Sequence, residues 1–250
     1  MTSRRIALIT GASGGIGAAT ALRMAQAGFD LVLHYHQNRQ GADDLARQCR
    51  ERESQVWLMQ ADLREETAIE HLFAEIDAHC GPLHALINNA GIVQPQMRVE
   101  TMSAARLTNT FASNVLSVFL CSREAVKRMS TRHGGRGGVI VNVSSAAARL
   151  GSPGEYVDYA AAKAAIDALT KGLSLEVASE GIRVNAVRPG YIDTPIHAKA
   201  GDPRRLARLA PNIPMQRCGQ SEEVAHAIHW LASDEASYVT GAFIDCAGGR

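Results

Sequence analysis

The alternation of two hydrophobic patterns is the feature of this sequence that most restricts its fold. Short apolar runs of strand length alternate with longer stretches of helical spacing along the whole chain. Parallel strands need a crossover between them, and a helix is the usual crossover. The pattern therefore predicts an α/β fold with one doubly wound parallel sheet and helices on both of its faces.

Both kinds of element can be placed along the chain. The expected strands are 6–10, 30–35, 55–60, 84–88, 138–143, 182–187 and 242–245. The expected helices are 15–27, 39–52, 66–79, 105–132, 155–179 and 222–233. Since no linker, repeat or low-complexity tract divides these elements, we predict a single domain over residues 1–250.

Charge and cysteine content argue against several classes of partner. Lys and Arg number 26 against 25 Asp and Glu, so nothing suggests binding to nucleic acid or to an anionic membrane surface. No apolar run approaches the length of a bilayer span, and the first run ends at Thr10, which suits a strand better than a signal peptide. The 5 cysteines are odd in number and form no CxxC pair, which favours reduced thiols and a cytoplasmic location.

A glycine-rich turn joins the first strand to the first helix, where residues 10–17 read TGASGGIG. Gly11, Gly15 and Gly17 would allow a tight turn and let a pyrophosphate approach the backbone and the helix N-terminus. The alternative is a turn that serves compact packing alone. The strand before it and the helix after it favour the phosphate-binding interpretation.

The segment after the second strand bears on the choice between NAD and NADP. An acid about 20 residues beyond the glycines would bind the ribose 2′-hydroxyl, whereas a basic residue favours a 2′-phosphate. Residues 34–39 read HYHQNR, with no acid before Asp43. The available cation is Arg39, so the sequence favours NADP(H), with NAD(H) as the alternative. Arg39 as a solvated charge at the start of a helix is the competing interpretation.

Tyr159 and Lys163 are four residues apart in a helical stretch, so they share one helix face. A phenol has an ordinary pKa of about 10. A nearby ammonium would lower that pKa and make Tyr159 a usable acid or base. Tyr156 is a weaker candidate because Ala160, not lysine, stands four residues after it.

Two serines, Ser144 and Ser145, follow the buried strand 138–143. Ligands in such sheets bind at the carboxyl ends of the strands, so a serine there could hold a substrate oxygen. Since successive strand side chains point to opposite faces, only one of the two should do so. An N-cap or turn role is the alternative.

Several motifs in a fixed order make the chain resemble the short-chain dehydrogenase/reductase family over essentially all 250 residues. The resemblance implies a single Rossmann-type domain with about seven parallel strands. It also implies a homotetramer built partly from helices 105–132 and 155–179. The matching positions are the turn at 10–17, Asp62, the run Asn88-Asn89-Ala90-Gly91, Asn114, the pair Tyr159 and Lys163, and Pro189-Gly190 with Thr194 after it.

The resemblance assigns a role to each matched residue. Tyr159 would exchange the proton of the carbonyl or alcohol oxygen, and Lys163 would lower its pKa and bind the nicotinamide ribose. Ser145 would hold the substrate oxygen, and Asn114 would support a water-linked proton path through Lys163. Asn88 would line the cofactor. The expected cofactor-binding residues are Gly11, Ser13, Gly15, Ile16, Gly17, Tyr35, Arg39, Asp62, Leu63, Asn89, Ala90, Gly91, Tyr159, Lys163, Pro189, Gly190, Ile192 and Thr194.

Two positions depart from the family pattern. Gly14 stands where many NADP-using members carry Arg or Lys, which transfers the NADP argument to Arg39. The interval from Ser145 to Tyr159 is one residue longer than in many members, which leaves Ser144 and Ser145 as alternatives.

The irregular segment 193–217 is expected to form a substrate lid after the sixth strand. Its arginines, Arg204, Arg205 and Arg208, could meet an anionic substrate, but a solvated basic face is the preferred interpretation. By position, the candidates for the substrate pocket are Gln94, Tyr156, Tyr191 and His197.

The sequence therefore predicts an NADP-dependent enzyme that reversibly reduces a small ketone or aldehyde. The alternatives are an NAD-dependent sugar or polyol dehydrogenase and a 3-oxoacyl carrier-protein reductase. A cofactor-binding regulatory protein without turnover is disfavoured because Tyr159 and Lys163 are both present. We expect no metal, since His226 and His229 have the spacing of two ligands but no third ligand motif accompanies them.

Overall fold

The computed structural model describes residues 4–194 and 205–250. Within these residues one sheet of 7 strands forms the centre of the protein, in the order β3-β2-β1-β4-β5-β6-β7. Every neighbouring pair in it is parallel. The strands are β1 Ile6–Ile9, β2 Asp30–Tyr35, β3 Val56–Gln60, β4 Leu83–Asn88, β5 Gly138–Val143, β6 Ile182–Pro189 and β7 Phe243–Cys246.

Helices connect the strands and cover the sheet. Those in the described residues are α1 Gly15–Gln26, α2 Arg39–Arg50, α3 Glu66–His79, α4 Ala104–Phe111, α5 Ser117–Met129, α6 Ala147–Leu150, α7 Val157–Val177, α8 Arg205–Leu209 and α9 Ser221–Ala232. Most expected elements lie within two residues of these bounds, and the predicted doubly wound sheet is confirmed.

Both faces of the sheet are buried, and β1 shows why. Ala7 and Ile9 pack in a core cluster with residues of α1, α2 and α9. Ile6 and Leu8 point the other way, into a second cluster with residues of α3 and α5. Because side chains alternate between the faces, a strand covered on both sides must be apolar throughout.

The expected helix 105–132 is interrupted in the structure. α4 ends at Phe111, a π-helical turn covers Ala112–Leu116, and α5 ends at Met129. The side-chain amide of Asn114 donates to the carbonyl oxygen of Thr110 at 2.9 Å, the acceptor that the Asn114 backbone N–H would use in an α-helix. Such π turns are frequent at functional sites.

The strand order reverses at β1 and β4, in the middle of the sheet. From there the connections run outward in both directions, which opens a crevice at the carboxyl ends of these two strands. The Thr10 hydroxyl oxygen accepts hydrogen bonds from the backbone N–H groups of Asn89 and Ala90, each at 3.0 Å. These bonds fix the loops that follow the two central strands against each other.

Candidate active site

A large cavity occupies the carboxyl edge of the sheet at this crevice. Its volume is about 1070 Å³, at the upper end of the range for small-molecule and cofactor sites. Residues that follow β1 through β6 line it, and α7 contributes Tyr159 and Lys163. Segments at the carboxyl ends of six strands therefore meet at one site.

The glycine-rich turn presents the N-terminus of α1 to the cavity. Gly14 precedes the helix, and within the described residues no side chain caps its first turn. Free N–H groups at a helix N-terminus attract anions. A side chain at Gly17 would lie 2.5 Å from the Gly11 carbonyl oxygen, and Gly11 itself has a φ of +63°, so both positions need glycine. The turn fits the pyrophosphate of a dinucleotide.

Most residues that the sequence assigned to the site line this cavity. Among the expected catalytic and cofactor-binding residues, those that do not are Gly17, Tyr35, Arg39, Asn88 and Asn114. The expected residues in the lining are Gly11, Ser13, Gly15, Ile16, Asp62, Leu63, Asn89, Ala90, Gly91, Ser145, Tyr159, Lys163, Pro189, Gly190, Ile192 and Thr194.

Asn88 and Asn89 have different surroundings although they are neighbours. The Asn89 amide donates to the carbonyl oxygens of Thr10 and Gly11 at 2.9 and 3.0 Å, at the base of the glycine turn. The Asn88 amide instead donates to Asn142 at 2.9 Å, inside the protein. The expectation that Asn88 lines the cofactor site is wrong, because its side chain points away from the cavity.

The end of the cavity beside β2 and β3 is polar. His36, Gln37 and Asn38 line it together with Asp62 and Arg64. The Arg64 guanidinium holds the Asp62 carboxylate, with Nη2 2.6 Å from Oδ2. This pairing lowers the pKa of Asp62 to about 2. Asp62 is therefore ionised but already neutralised by a neighbour.

Arg39 lies outside the cavity lining. Its Nε donates to Asp43 at 2.9 Å, and its Nη1 donates to the Tyr35 hydroxyl at 3.2 Å. The hydrogen bond with Asp43 is the main reason that its pKa rises. Arg39 is therefore a paired surface charge at the start of α2, which agrees better with the competing interpretation than with a free cation aimed at the cofactor.

His34 is a buried structural group beneath the glycine turn. Its Nδ1 accepts from the Gly11 N–H at 3.1 Å, and its Nε2 lies 3.1 Å from the Ala61 carbonyl oxygen. Burial lowers the pKa of His34 to about 4, so the ring is neutral at pH 7. These contacts require the tautomer with the proton on Nε2.

Tyr159 and Ser145 meet on the cavity wall, where α7 begins and β5 has just ended. Both side chains line the cavity, and the Ser145 hydroxyl acts to lower the pKa of the Tyr159 phenol. Ser144 is held on the other side, where its hydroxyl donates to the Asp167 carboxylate at 2.7 Å. The two serines point in opposite directions, as the two-residue period of an extended chain requires. Ser145 is the serine on the side of Tyr159.

Lys163 is buried below Tyr159, and its ammonium is fixed to the end of β5. Its Nζ donates to the Val143 carbonyl oxygen at 2.7 Å and lies 5.6 Å from the centroid of the Tyr159 ring. Burial lowers the pKa of Lys163 to about 8, although the Asp167 carboxylate acts in the opposite direction.

Burial also raises the pKa of Tyr159 to about 12, with the Ser145 hydroxyl acting in the opposite direction. Lys163 is not among the causes of this shift, so its expected effect on Tyr159 stays a prediction. Removal of the phenolate from water, which disfavours the charged form, is the largest cause of the shift. At neutral pH the phenol keeps its proton.

The Asn114 side chain acts on the site by holding the main chain of Ile92. Its Oδ1 accepts from the Ile92 N–H at 3.0 Å, and its Nδ2 donates to the Ile92 carbonyl oxygen at 3.1 Å. A side chain at Gly91 would lie 2.6 Å from this Oδ1 and 3.7 Å from the Lys163 ammonium. Asn114 thus fixes the loop after β4 close to Lys163.

The expected pocket residues separate into several groups. Tyr156 and Tyr191 line the cavity. The Gln94 amide is used elsewhere, since it donates to Thr110 at 2.8 Å. His197 lies outside the described residues, as do residues 195–204 of the expected lid.

The arginines of segment 193–217 differ from one another. Arg208 is exposed, and Arg204 lies outside the described residues. Arg205 lines the cavity and is only 4% exposed. The expectation of a solvated basic face is wrong for Arg205, because α8 directs this side chain inward.

Two ion pairs near the site were not expected from the sequence. The first joins Asp167 to Arg188, and Asp167 also accepts a hydrogen bond from the Ser144 hydroxyl. Asp167 stands four residues after Lys163, and this helical spacing is the sequence signal that could have placed it near the site. Arg106 on α4 donates to Asp158 at 2.9 Å, one residue before Tyr159. Both partners of this second pair are buried, and no short motif marks it.

The chain is similar to known oxidoreductases along almost its whole length. The family model described as Enoyl-(Acyl carrier protein) reductase matches residues 11–250. The uncharacterized oxidoreductase YgfF of Escherichia coli is 56% identical over 98% of this chain and 99% of its own length. The cis-4-hydroxycyclohexanecarboxylate dehydrogenase of Sinomonas cyclohexanicum is 38% identical over 99% of this chain and 96% of its own.

A solved structure has the same fold. It is a mutant of a short-chain dehydrogenase/reductase from Serratia marcescens, 31% identical, with a TM-score of 0.90 over 98% of this chain and 97% of that one.

The fold and the site define an oxidoreductase that acts on CH–OH or C=O groups with a nicotinamide dinucleotide. The chain belongs to the short-chain dehydrogenase/reductase family.

The described residues contain neither a candidate membrane span nor a candidate metal-binding cluster. None of their helices is both long and apolar enough to cross a membrane. They also contain no group of three or more His, Cys, Asp or Glu side chains arranged to hold a metal ion.

Proposed function

We propose that the protein is an NADP-dependent reductase of a small ketone or aldehyde, with the alcohol as substrate in the reverse direction. The observation that carries this proposal is the cluster of Ser145, Tyr159 and Lys163 in one cavity with the N-terminus of α1. The cluster supplies a proton donor, and the helix terminus supplies an anion site.

The protein's part in the reaction is the handling of one proton. The nicotinamide supplies the hydride when it is bound. The Ser145 hydroxyl orients the substrate oxygen, and the Tyr159 hydroxyl donates its proton to that oxygen. Since the pKa of Tyr159 is raised to about 12, the phenol is protonated at neutral pH, as reduction requires. Lys163, with a pKa lowered to about 8, can return a proton to Tyr159 without a large energetic cost.

The preference for NADP is supported by the residues at the end of β2. His36, Gln37 and Asn38 face the cavity there, and none of these described residues is an acid that could bind a ribose 2′-hydroxyl. Arg64 lies on the same wall, where it neutralises the carboxylate of Asp62. Arg39 lies nearby and would have to share its guanidinium between Asp43 and a 2′-phosphate, which its five N–H donors allow.

Assembly and location also belong to the proposal. Leu107, Phe111, Leu116 and Phe119 are exposed hydrophobic side chains on the segment from α4 to α5, each 39–46% accessible. Such a patch supports the homotetramer, which light scattering on the purified protein would test. The 5 cysteines are free, which supports a cytoplasmic location.

The first experiment is a titration with NADPH and NADH, followed by nicotinamide fluorescence. We expect tighter binding of NADPH, and weaker NADPH binding in Arg39→Ala with little effect on NADH. Arg47→Ala, which removes a paired arginine from the same helix, is the matched control. Tighter binding of NADH would overturn the NADP proposal.

The second experiment is Tyr159→Phe. This variant should lose turnover by at least about a hundredfold, because general acid catalysis contributes roughly 10²–10⁴, and should bind cofactor nearly as the parent does. Tyr238→Phe, at a fully exposed tyrosine, is the control. The substrate panel should include 4-oxocyclohexanecarboxylate, a sugar or polyol and a 3-oxoacyl carrier protein, so that the alternatives are tested together.

A further inference from the structure

The buried polar side-chain atoms that lack a hydrogen-bond partner within the described part of the chain are confined to one place. They are Tyr156 Oη, Arg205 Nε and Arg205 Nη1. Buried polar groups are almost always satisfied, and a buried donor without a partner is costly. Three such donors on two neighbouring side chains therefore indicate a binding partner that the protein itself does not supply.

These donors belong to a corner of the active-site cavity that we call the arginine corner, formed by Glu155, Tyr156, Tyr191, Arg205 and Arg250. All five residues line the cavity. The guanidinium carbon of Arg205 lies 4.8 Å from the ring centroid of Tyr156 and 5.5 Å from that of Tyr191. The guanidinium of Arg250 lies 5.1 Å from the Tyr191 ring. Stacking of this kind fixes the orientation of an arginine.

The charge of the corner is only partly balanced. Arg205 Nη2 donates to a Glu155 carboxylate oxygen at 2.5 Å, which leaves the Nε and Nη1 hydrogens without an acceptor among the described residues. Among the five side chains of the corner, Arg205 and Arg250 are the cations and Glu155 is the acid. The corner therefore has an excess of positive charge and unsatisfied donors, the combination that arginine uses to bind carboxylates.

We propose that the arginine corner binds a carboxylate group of the substrate, remote from the carbonyl that is reduced, so that the substrates are small oxo acids and the corresponding hydroxy acids. The proposal rests on the function proposed above and specifies its substrate class. A neutral sugar or ketone would leave the donors of Arg205 unsatisfied, whereas a carboxylate would accept from Arg205 and from the Tyr156 hydroxyl.

A binding measurement tests the corner without any turnover. The probes are cyclohexanecarboxylate and its primary amide, titrated by calorimetry into the protein at pH 7 in the presence of NADP⁺. We expect the carboxylate to bind at least about thirtyfold more tightly, since the loss of one partner from a buried charge pair has effects of this size or larger. Equal affinities would overturn the proposal.

Three variants separate a binding role of Arg205 from a structural one. Arg205→Met should remove the preference for the carboxylate. Glu155→Gln should keep or strengthen it, because it removes a competing anion. If Arg205 served only the ion pair with Glu155, both variants would behave alike, and this result would overturn the proposal. Arg208→Met, on the exposed side of the same short helix, is the control and should bind both probes as the parent does.

Tyr156→Phe keeps the test decisive if Arg205→Met fails to fold. It removes one unpartnered hydroxyl and leaves the ion pair between Arg205 and Glu155 in place. We expect about a tenfold loss in affinity for the carboxylate and little change for the amide, as for a hydrogen bond to a charged group. An equal effect on both probes would contradict the proposal.

Turnover then separates this inference from the proposed function. Reduction of 4-oxocyclohexanecarboxylate should be at least about thirtyfold more efficient, in kcat/KM, than reduction of its methyl ester. If both are reduced equally well, the proposed function stands and the carboxylate inference fails. If neither is reduced although the carboxylate probe binds through Arg205, the inference stands and the reductase proposal fails.

Discussion

Replacement of Lys163 by methionine gives a sharp test of the site's electrostatics. Lys163 is buried against the end of β5, and burial lowers its pKa from 10.5 to about 8. In the unfolded chain the same ammonium keeps its proton to about pH 10.5. Between these values the unfolded chain binds more protons than the folded protein, so the contribution of Lys163 makes stability rise with pH. Below about pH 8 Lys163 is charged in the folded protein, and this buried charge lowers the free energy of unfolding.

The size of the effect follows from the two pKa values. One pKa unit corresponds to about 1.4 kcal/mol, so the full effect is about 3 kcal/mol. Only part of it falls between pH 7 and 9.5, where we expect about 2 kcal/mol. The free energy of unfolding of the parent should therefore increase by about 2 kcal/mol relative to Lys163→Met over this range. Other titrating groups cancel in the difference, because both proteins contain them.

Urea denaturation of the cofactor-free proteins at fixed protein concentration measures this difference. Lys171→Met, at an exposed lysine of the same helix, is the matched control, and the pH-dependent difference should be specific to Lys163→Met. A Lys163→Met difference that stays constant within about 0.5 kcal/mol from pH 7 to 9.5 would refute the inference that Lys163 is a charged group in a poorly solvated site.

Four further substitutions test other parts of the site. Ser145→Ala should lower kcat by about a hundredfold, the usual effect of losing a donor to the reacting oxygen. Ser144→Ala should lower stability more than it lowers kcat. Steady-state kinetics and urea denaturation of both variants would show the opposite pattern if the two roles are reversed. Gly14→Arg should raise the preference for NADPH about tenfold, which corresponds to about 1.4 kcal/mol. The position can accept a side chain because Gly14 is extended and no atom lies within 4 Å of the place that a Cβ would take. A fluorescence titration that shows no change in preference would contradict this. Asp158→Ala should lower the free energy of unfolding by about 3–5 kcal/mol, since it leaves Arg106 buried without its counter-ion; a loss below about 1 kcal/mol would show that the pair is dispensable.

The sheet could be predicted from the sequence because its pattern is local. Each strand of β1, β2, β4 and β5 is an apolar run, and burial on both faces requires such runs. The interruption after Phe111 could not be predicted in this way. It depends on the contacts of Asn114 with Ile92 and Thr110, and the contact with Ile92 joins segments that lie 22 residues apart.

The motifs of the site were predictable, but the partners of its charges were not. Arg39 was expected to face the cofactor, and the structure pairs it with Asp43 outside the cavity. Arg205 was expected in solvent, and it lines the cavity between two tyrosines. Both are arginines at the start of a helix, and the sequence contains no signal that separates them. Their different positions depend on tertiary packing, which pairs Arg39 with a nearby acid and packs Arg205 against two aromatic rings.

The pKa values of Tyr159 and Lys163 connect the proton chemistry with the charge of the cavity. The spacing of the two residues predicts their proximity, but the polarity of their surroundings depends on the fold. Burial raises the pKa of the acid to about 12 and lowers that of the base to about 8, so at pH 7 the phenol is neutral and the ammonium is charged. Together with Arg205, this ammonium leaves the substrate side of the cavity positive, with Glu155 as the opposing charge. A substrate that carries its own carboxylate would offset this excess and so stabilise the protonated state of the site that reduction requires.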